Sequence, residues 1–545
     1  MSATAISTPT DWRGVPVAAA SGWAKYLRFV WRRNWVRSLV WFIVIAGMTA
    51  FIADYYKTIF TTPDALKTFA DIAQAPSMAS LVGVIAHPAT LGGAVWCKGW
   101  MFLSLMLGIG MTYLMTRNLR GDEDSGRLEL MRAYPLGVRS PLVAAVIVTA
   151  GVSIVSGIGV ALGLIAVGQG GVPPFNIAAG GAFAFGASVA AMGLLGVGIA
   201  AITNQVAPSA GAANGLGIVV FVVFYVIRMV GDLNTSTTLL WSSPIGWGEL
   251  VDPWGDNRVA PLVAMAALAI VLVAIGWLIE GRREMNAGLV AAKRGSSHAA
   301  KLTQTVFGLG ARTQRASMIV WAVGIVLFGA LLGSVMNQFP TLLNGLDSAE
   351  GLSADAMSDM IISIVALAIG IFAVQSASAL HSDEDRGVLE SQLAGGVGRI
   401  GWALKRLAVT VLAAAILMLL CAYVLGEVWA QGVGDPTRLN MALGALLIHL
   451  PAVIILAGVA VLGFGWWPKV ATAVTWTVVG ALWAVEIVGV ALRLPDSVMK
   501  ALPFIGGPSW PAAAADWQKA GIFLAVGIVF IVVGLIGFRR RDVPA

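Results

Sequence analysis

The chain has 545 residues, of which 58% are hydrophobic and only 12% charged, with a formal net charge of +7. A soluble protein carries about 25% charged residues, and no long segment here has that composition, so the sequence excludes a set of soluble domains. The basic residues fall between apolar runs instead of on one domain face, which assigns them to membrane topology and excludes nucleic acid as a partner.

In chain order, the first twenty residues lack the apolar core of a cleavable signal peptide. In residues 21–37, Trp23, Leu27, Val30, Trp31 and Trp35 recur at helical spacing among Lys25, Arg28, Arg32, Arg33 and Arg37. A basic, tryptophan-rich amphipathic helix of this kind is expected to lie in the headgroup plane. Apolar runs near the ~20 residues that cross a bilayer follow at 38–54, 94–116, 142–167, 176–202, 210–231 and 259–281. Six more follow at 317–337, 358–380, 404–426, 438–463, 469–492 and 519–538. The expected fold is an all-α integral membrane protein of twelve transmembrane helices, arranged as two parallel six-helix repeats. Its domains are an N-terminal region 1–37 with the in-plane helix, a first half 38–281, a linker 282–316 and a second half 317–545. Cys97 and Cys421 lie in or beside apolar runs, which excludes a disulfide framework and a zinc site.

Loop charge sets an expected orientation. The N-terminal segment, 117–141, 282–316, 381–406 and Arg539-Arg540-Arg541 are rich in Lys and Arg, whereas 339–357 carries Asp347, Glu350 and Asp355 without a basic residue. The first group is expected in the cytoplasm together with both termini, and 339–357 outside. Residues 55–93, longer than their counterpart in the second half and containing Pro63, Pro76 and Pro88, are expected to form a small external cap or a re-entrant helix.

One stretch occurs twice. Asp122-Glu123-Asp124-Ser125-Gly126-Arg127-Leu128-Glu129 returns 261 residues later as Asp383-Glu384-Asp385-Arg386-Gly387-Val388-Leu389-Glu390, identical at six of eight positions. Gly276 to Glu284 likewise parallels Gly534 to Asp542, and Pro208 and Pro468 each precede a fifth-type span. The acidic triplets suit a helix N-terminus, where the macrodipole is positive, and Gly126 or Gly387 permits a bend. Leu128 with Met131, and Leu389 with Leu393, supply an apolar edge at helical spacing. Two symmetric copies point to docking into a cleft of a cytosolic partner.

This pattern resembles a known family. An acidic residue, then Gly-x-Leu-Glu, then a Pro or small-residue turn and a basic residue marks the integral-membrane subunits of type-2 ATP-binding-cassette (ABC) transporters. Here it runs from Glu123 to Arg139 through Gly126, Leu128, Glu129 and Pro135. It runs again from Glu384 to Arg399 through Gly387, Leu389 and Glu390, with Gly396 where the first copy has Pro135 or Leu136. Over its whole length the chain resembles the fused permeases of actinobacterial polyketide-antibiotic exporters of the tetronasin-resistance type. The resemblance implies a permease that moves amphipathic drugs or antibiotics out through the cell membrane. In such a system each motif forms a coupling helix seated in a separate ABC ATPase subunit, two copies per permease. Because no Gly-x4-Gly-Lys-Ser/Thr occurs, ATP and Mg are expected on those partners, leaving this chain without its own cofactor or ATPase activity.

The family arrangement also implies that spans two, five, eight and eleven line the substrate path. They offer Phe102, Met106, Met111, Phe221, Phe224, Tyr225, Phe372, Gln375, Trp476 and Trp483, aromatic and thioether groups that accept varied apolar ligands. Arg228 and Glu486, at nearly equivalent repeat positions, are expected to face each other as an outer gate, since intramembrane charges are costly unless paired or functional. His381 and His449 read as satisfying local hydrogen bonds. The alternative is a proton-coupled twelve-helix secondary multidrug transporter, but mid-span carboxylates are nearly absent, and its basic loop motif fits Asp124-Ser125-Gly126-Arg127 poorly. An intramembrane enzyme is the third class, and no catalytic constellation supports it.

Overall fold

A computed structural model describes residues 21–542, apart from 75–78, 80–81, 85–86, 88, 134–135, 284–287, 291–297, 299, 338–353, 489–494 and 509–515. The acidic segment carrying Asp347 and Glu350, and the turn at Pro135, therefore lie outside the described residues. The chain divides into two compact units, residues 1–294 and 295–545. The division falls inside the expected linker.

The first unit opens with α1 (Trp23–Ile59), 37 residues long and so about 55 Å at 1.5 Å per residue. Its one irregularity is a π-helical turn at Ile43–Gly47. The separate in-plane helix expected at 21–37 is therefore corrected: that segment is the leading part of the first span's own helix. No proline or left-handed glycine stands between the two to turn the chain. Tyr26, Val30, Asn34 and Ser38 recur every four residues and are buried, with Ala144 and Val148 in the same small core. Trp23, Trp31 and Trp35 stay exposed.

Helix α2 (Pro63–Ala73) occupies the segment expected as a cap. Its Phe69 ring lies 5.2 Å from Phe60 and 5.9 Å from Tyr56, and Leu66 is buried, so an aromatic cluster fastens it to the end of α1. The next run, α3, comprises Leu91–Val95, a π-helical turn Trp96–Trp100 and Met101–Asn118. Two short helices, α4 (Arg120–Asp124) and α5 (Arg127–Arg132), follow it. Then come α6 (Ser140–Gly168), α7 (Ala179–Val206) and α8 (Ala210–Leu233). The short α9 (Thr237–Trp241) and α10 (Pro244–Glu249) lead to α11 (Val259–Glu280).

Helix α7 is the hub of this unit, packing against α3, α6, α8 and α11. In lipid no hydrophobic gain drives helices together, so small residues that let backbones approach take over. A Cβ added to Gly196 of α7 would sit 2.0 Å from the Gly108 carbonyl of α3, and one on Gly186 would sit 2.3 Å from the Gly157 carbonyl of α6. The polar groups these approaches bury find partners. Thr112 Oγ1 is within 3.1 Å of the Gly108 and Gly196 carbonyls, and Trp100 Nε1 donates to Ser188 Oγ at 2.7 Å.

The second unit contains α12 (Val306–Met336), α13 (Ala354–Ala377), α14 (Ala379–Asp385), α15 (Val388–Ala394) and α16 (Arg399–Val433). These precede α17 (Thr437–Leu447), α18 (Leu450–Trp466), α19 (Ala471–Val488), α20 (Asp496–Met499) and α21 (Trp517–Arg540). Helix α12 begins well before the expected 317, because Thr305 Oγ1 caps it by accepting the Gly308 N–H at 3.0 Å. Here α18 and α21 pack most closely: a Cβ on Gly465 would fall 2.0 Å from the Gly534 carbonyl.

Among the described residues ten helices are long and apolar enough to cross a membrane, and the chain is a multi-pass membrane protein. The expected spans 94–116 and 469–492 fall on α3 and α19, outside those ten. Helix α3 ends in polar Thr116, Arg117 and Asn118. Helix α19 has an apolar stretch of only Ala471–Val485.

Candidate functional site

The repeated acidic stretch folds the same way in each unit. A helical run ends at the acids, one glycine turns left-handed, and a short helix leaves at a new angle. Gly126 has φ 71° and Gly387 has φ 68°. A side chain at either would meet nothing within 4 Å, so the requirement for glycine is conformational. The acids themselves stand before this turn. In the first unit Asp122 and Glu123 fall in the first turn of α4, as expected, whereas in the second unit the acids close the C-terminal end of α14, which corrects the expected N-terminal placement for that copy.

In the first unit Asp122 and Glu123 are buried. The Arg33 guanidinium forks onto Asp122, Nη1 donating to Oδ1 at 2.9 Å and Nη2 to Oδ2 at 2.7 Å. Arg127 adds a longer contact to the same carboxylate at 3.5 Å. Asn118 Oδ1 accepts from Asn34 Nδ2 at 2.8 Å, completing the polar seam to α1. Glu123 receives Arg120 Nη1 at 2.5 Å and Arg283 Nη1 at 2.9 Å. Burial drives the Glu123 carboxyl up, but the hydrogen bonds and charges of Arg283 and Arg120 outweigh it and hold the group below its ordinary value. Asp124 is exposed, and its Oδ2 accepts the Ala210 N–H at 2.7 Å, satisfying an orphan donor at the start of α8.

The second unit repeats the central pairing. Arg541, just beyond α21, donates through Nη2 to Glu384 Oε2 at 2.6 Å, as Arg283, just beyond α11, does to Glu123. Arg541 also rests over the Phe464 and Phe538 rings, at 4.8 and 5.2 Å, and its carbonyl accepts from Arg399 Nη1 at 2.7 Å. Asp383 pairs with Arg406, and Asp385 with His381 at 3.3 Å. The Glu–Arg clasp was within reach of the sequence, since Arg283 and Arg541 occupy equivalent places in the parallel Gly276–Glu284 and Gly534–Asp542 stretches. The partners of the first acid differ, Arg33 on α1 against Arg406 on α16, and no repeat announced them.

Exposure divides the motif into two faces. Leu128 and Leu389 are 2% and 0% exposed, so the leucines of the expected apolar edge are packed inside their own units, while Met131 and Leu393 are half-buried. Glu129 and Glu390 are exposed, Leu130 is 76% exposed and Val388 38%. The outward face of α5 thus carries Arg127, Glu129 and Leu130, that of α15 carries Val388, Glu390 and Ser391, and the buried face of each carries the leucine.

The residues proposed to line a substrate path scatter. Met111, Phe221 and Phe372 are buried, the Phe221 ring lying against Gly108, so they serve helix packing. Met106, Phe224, Tyr225 and Trp483 are half-buried, while Phe102, Gln375 and Trp476 are exposed. Gln375 Oε1 accepts from Trp321 Nε1 at 2.8 Å, and Trp321 rests against Phe372 at 5.8 Å, which joins α12 to α13. Arg228 is buried, with Asp232 Oδ2 at 3.1 Å on its own helix and the Tyr225 ring 5.0 Å away. Glu486 lies on α19. The sequence reading missed Asp232, although the Arg–Asp spacing of four residues on α8 was visible. His449 is buried with Nδ1 2.8 Å from the Ala445 carbonyl, the local role expected. Among the described residues no cluster of His, Cys, Asp and Glu could hold a metal ion.

Residues 303–539 match the family described as "Multidrug efflux system permease Rv1217c, C-terminal domain". Across nearly its full length the chain is similar to the multidrug efflux system permease protein Rv1217c of Mycobacterium tuberculosis. The two are 29% identical over 535 residues, covering 95% of this chain and 94% of the relative.

Proposed function

We propose that the chain is the permease of a multidrug efflux system. In this reading it spans the membrane twelve times as two parallel six-helix repeats with both termini in the cytoplasm, and exports amphipathic drugs. Separate ABC ATPase subunits, which bind ATP and Mg, dock on the two acidic elbows. The similarity to an efflux permease supports the transport half of this reading. The observation that carries the coupling half is the duplicated elbow: an outward glutamate, Glu129 or Glu390, on a short helix whose root is clasped to the end of a long one.

That geometry suits force transmission. A partner moving the outward face of α5 or α15 cannot leave the root behind, because Glu123 and Glu384 are held by Arg283 and Arg541. Removing one partner of a buried ion pair costs roughly 3–5 kcal/mol, so the clasp holds under small loads. Displacement at the elbow therefore reaches α11 and α21 as displacement of their ends. The exposed glutamates call for basic groups on the docking subunit.

The test is to extract the tagged chain under mild conditions and identify what co-purifies. A nucleotide-binding chain at two copies per permease supports the reading. Glu129→Ala with Glu390→Ala should release it while leaving the permease folded. A chain that co-purifies with no ATPase and transports in response to a proton gradient alone overturns it in favour of secondary transport.

A further inference from the structure

Helix α8 begins at the Asp124 cap and ends about 36 Å away along its axis, beside a cavity of about 290 Å³ in the first unit. Val84, Trp96, Asp232, Glu249, Asp252 and Arg258 contribute to its walls. The charges there are answered locally, with one exception. Arg228 answers Asp232 at 3.1 Å. Asp256 answers Arg258 at 2.8 Å. Asp252 Oδ2 accepts the Asp256 N–H at 3.1 Å within its own turn.

Glu249 is the exception. It is 7% exposed, and neither carboxyl oxygen has a well-formed hydrogen bond, although the Val84 N–H is near. The carboxyl is pressed so closely on the Gly83 backbone that a Cβ there would lie 2.1 Å from Oε1. The cation that acts on it, Arg228, is already paired with Asp232, so this carboxyl at a cavity wall is left without an ion pair of its own, which is costly for a buried charge. Beside it, Trp96 stacks on Trp100 with ring centroids 4.4 Å apart, and an indole held rigidly at a cavity wall attracts a cation to its face.

We propose that this cavity binds the head group of a monovalent organic cation, such as the ammonium end of an amphipathic molecule, with Glu249 as counter-ion and Trp96 as the aromatic wall. A divalent metal is disfavoured, because among the described residues no three metal-ligating side chains converge. The volume is at the low end of the roughly 300–1,000 Å³ of ligand pockets, enough for a head group and not for a whole drug. Burial pushes the Glu249 carboxyl up to about 8, with Arg228 pulling it down and Asp232 pushing it further up. At neutral pH it is therefore mainly protonated until a cation arrives, and binding releases that proton. Affinity then rises with pH up to about 8 and levels off above it. Among the described residues Tyr225 and His87 are further titratable groups near the site.

The proposal gives the export reading a substrate class, yet its test needs no ATPase, so the two fail separately. Calorimetry on the full chain in nanodiscs would compare benzyltrimethylammonium, whose charge does not titrate, with its neutral isostere neopentylbenzene. The cation should bind at least about tenfold more tightly, gain more than about tenfold between about pH 6 and pH 8, and release a proton visible as a buffer-dependent heat. Glu249→Gln should remove both the preference and the pH dependence, whereas His87→Gln should keep both. Equal binding of the two probes, or a Glu249→Gln protein that binds the cation as wild type does, overturns the proposal. If Glu249→Gln does not fold, a pH-independent affinity in the wild type overturns it instead.

Discussion

Replacing Glu123 by glutamine would leave Arg120, 1% exposed, and Arg283 sharing one neutral amide. Breaking a buried pair in this way costs roughly 3–5 kcal/mol, so Glu123→Gln should lower the unfolding midpoint in detergent sharply. Glu129→Gln, on the outward face of the same motif, should barely move it. The sign with pH follows from the lowered Glu123 carboxyl. Its contribution is complete above the ordinary carboxylate value near 4.3 and is lost as pH falls through the lower, folded value. Acid melts of wild type should therefore steepen below about pH 4, and those of Glu123→Gln should not. At the turn, Gly126→Ala and Gly387→Ala meet open space but must adopt φ of 71° and 68°. Each should cost about 1–2 kcal/mol, read as a shifted melt with the fold retained. The acids and glycines were legible in the sequence because they repeat. Their use was not, because Arg33 and Arg283 are 89 and 160 residues away from the carboxylates they hold, and only folding brings them together.

Helices are the level at which sequence served best. Apolar runs bounded by charge located most of the long helices to within a few residues, because a backbone in lipid has little choice but to satisfy itself internally. The errors came where amphipathic character was taken for a separate element. Residues 21–37 have the tryptophans and arginines of an in-plane helix, yet nothing in them breaks the helix that continues to Ile59. Burial of Tyr26, Val30, Asn34 and Ser38 shows which face packs, a property that depends on neighbours the segment itself does not encode. Helix contacts provide their own prediction. Gly196→Ala drives a methyl group to 2.0 Å from the Gly108 carbonyl, whereas Gly151→Ala meets nothing within 4 Å. The first should destabilise the first unit by about 1–3 kcal/mol through overpacking, and the second should be neutral or slightly stabilising through helix propensity. Protease resistance in detergent separates the two outcomes.

Over the whole molecule, each unit carries its own apolar core and its own acid–arginine clasp, residues 1–294 around α7 and 295–545 around α18 and α21. Residues 1–294 produced alone should therefore insert and keep Glu123 protected, checked by the same acid melt and by limited proteolysis. A fragment ending before Arg283 should fail both. The cavity at Glu249 was not legible in the sequence, since its walls come from four separate stretches between Val84 and Arg258. The clasp also has a consequence in time. During synthesis Glu123 emerges 160 residues before Arg283, and Glu384 emerges 157 residues before Arg541. At about 5–20 residues per second, each elbow waits roughly 8–32 s for the arginine that closes it. Until then Glu123 and Glu384 lack the arginine that ties them to the following long helix, so the anchorage of the elbow on which a partner would dock is among the last contacts of each unit to form.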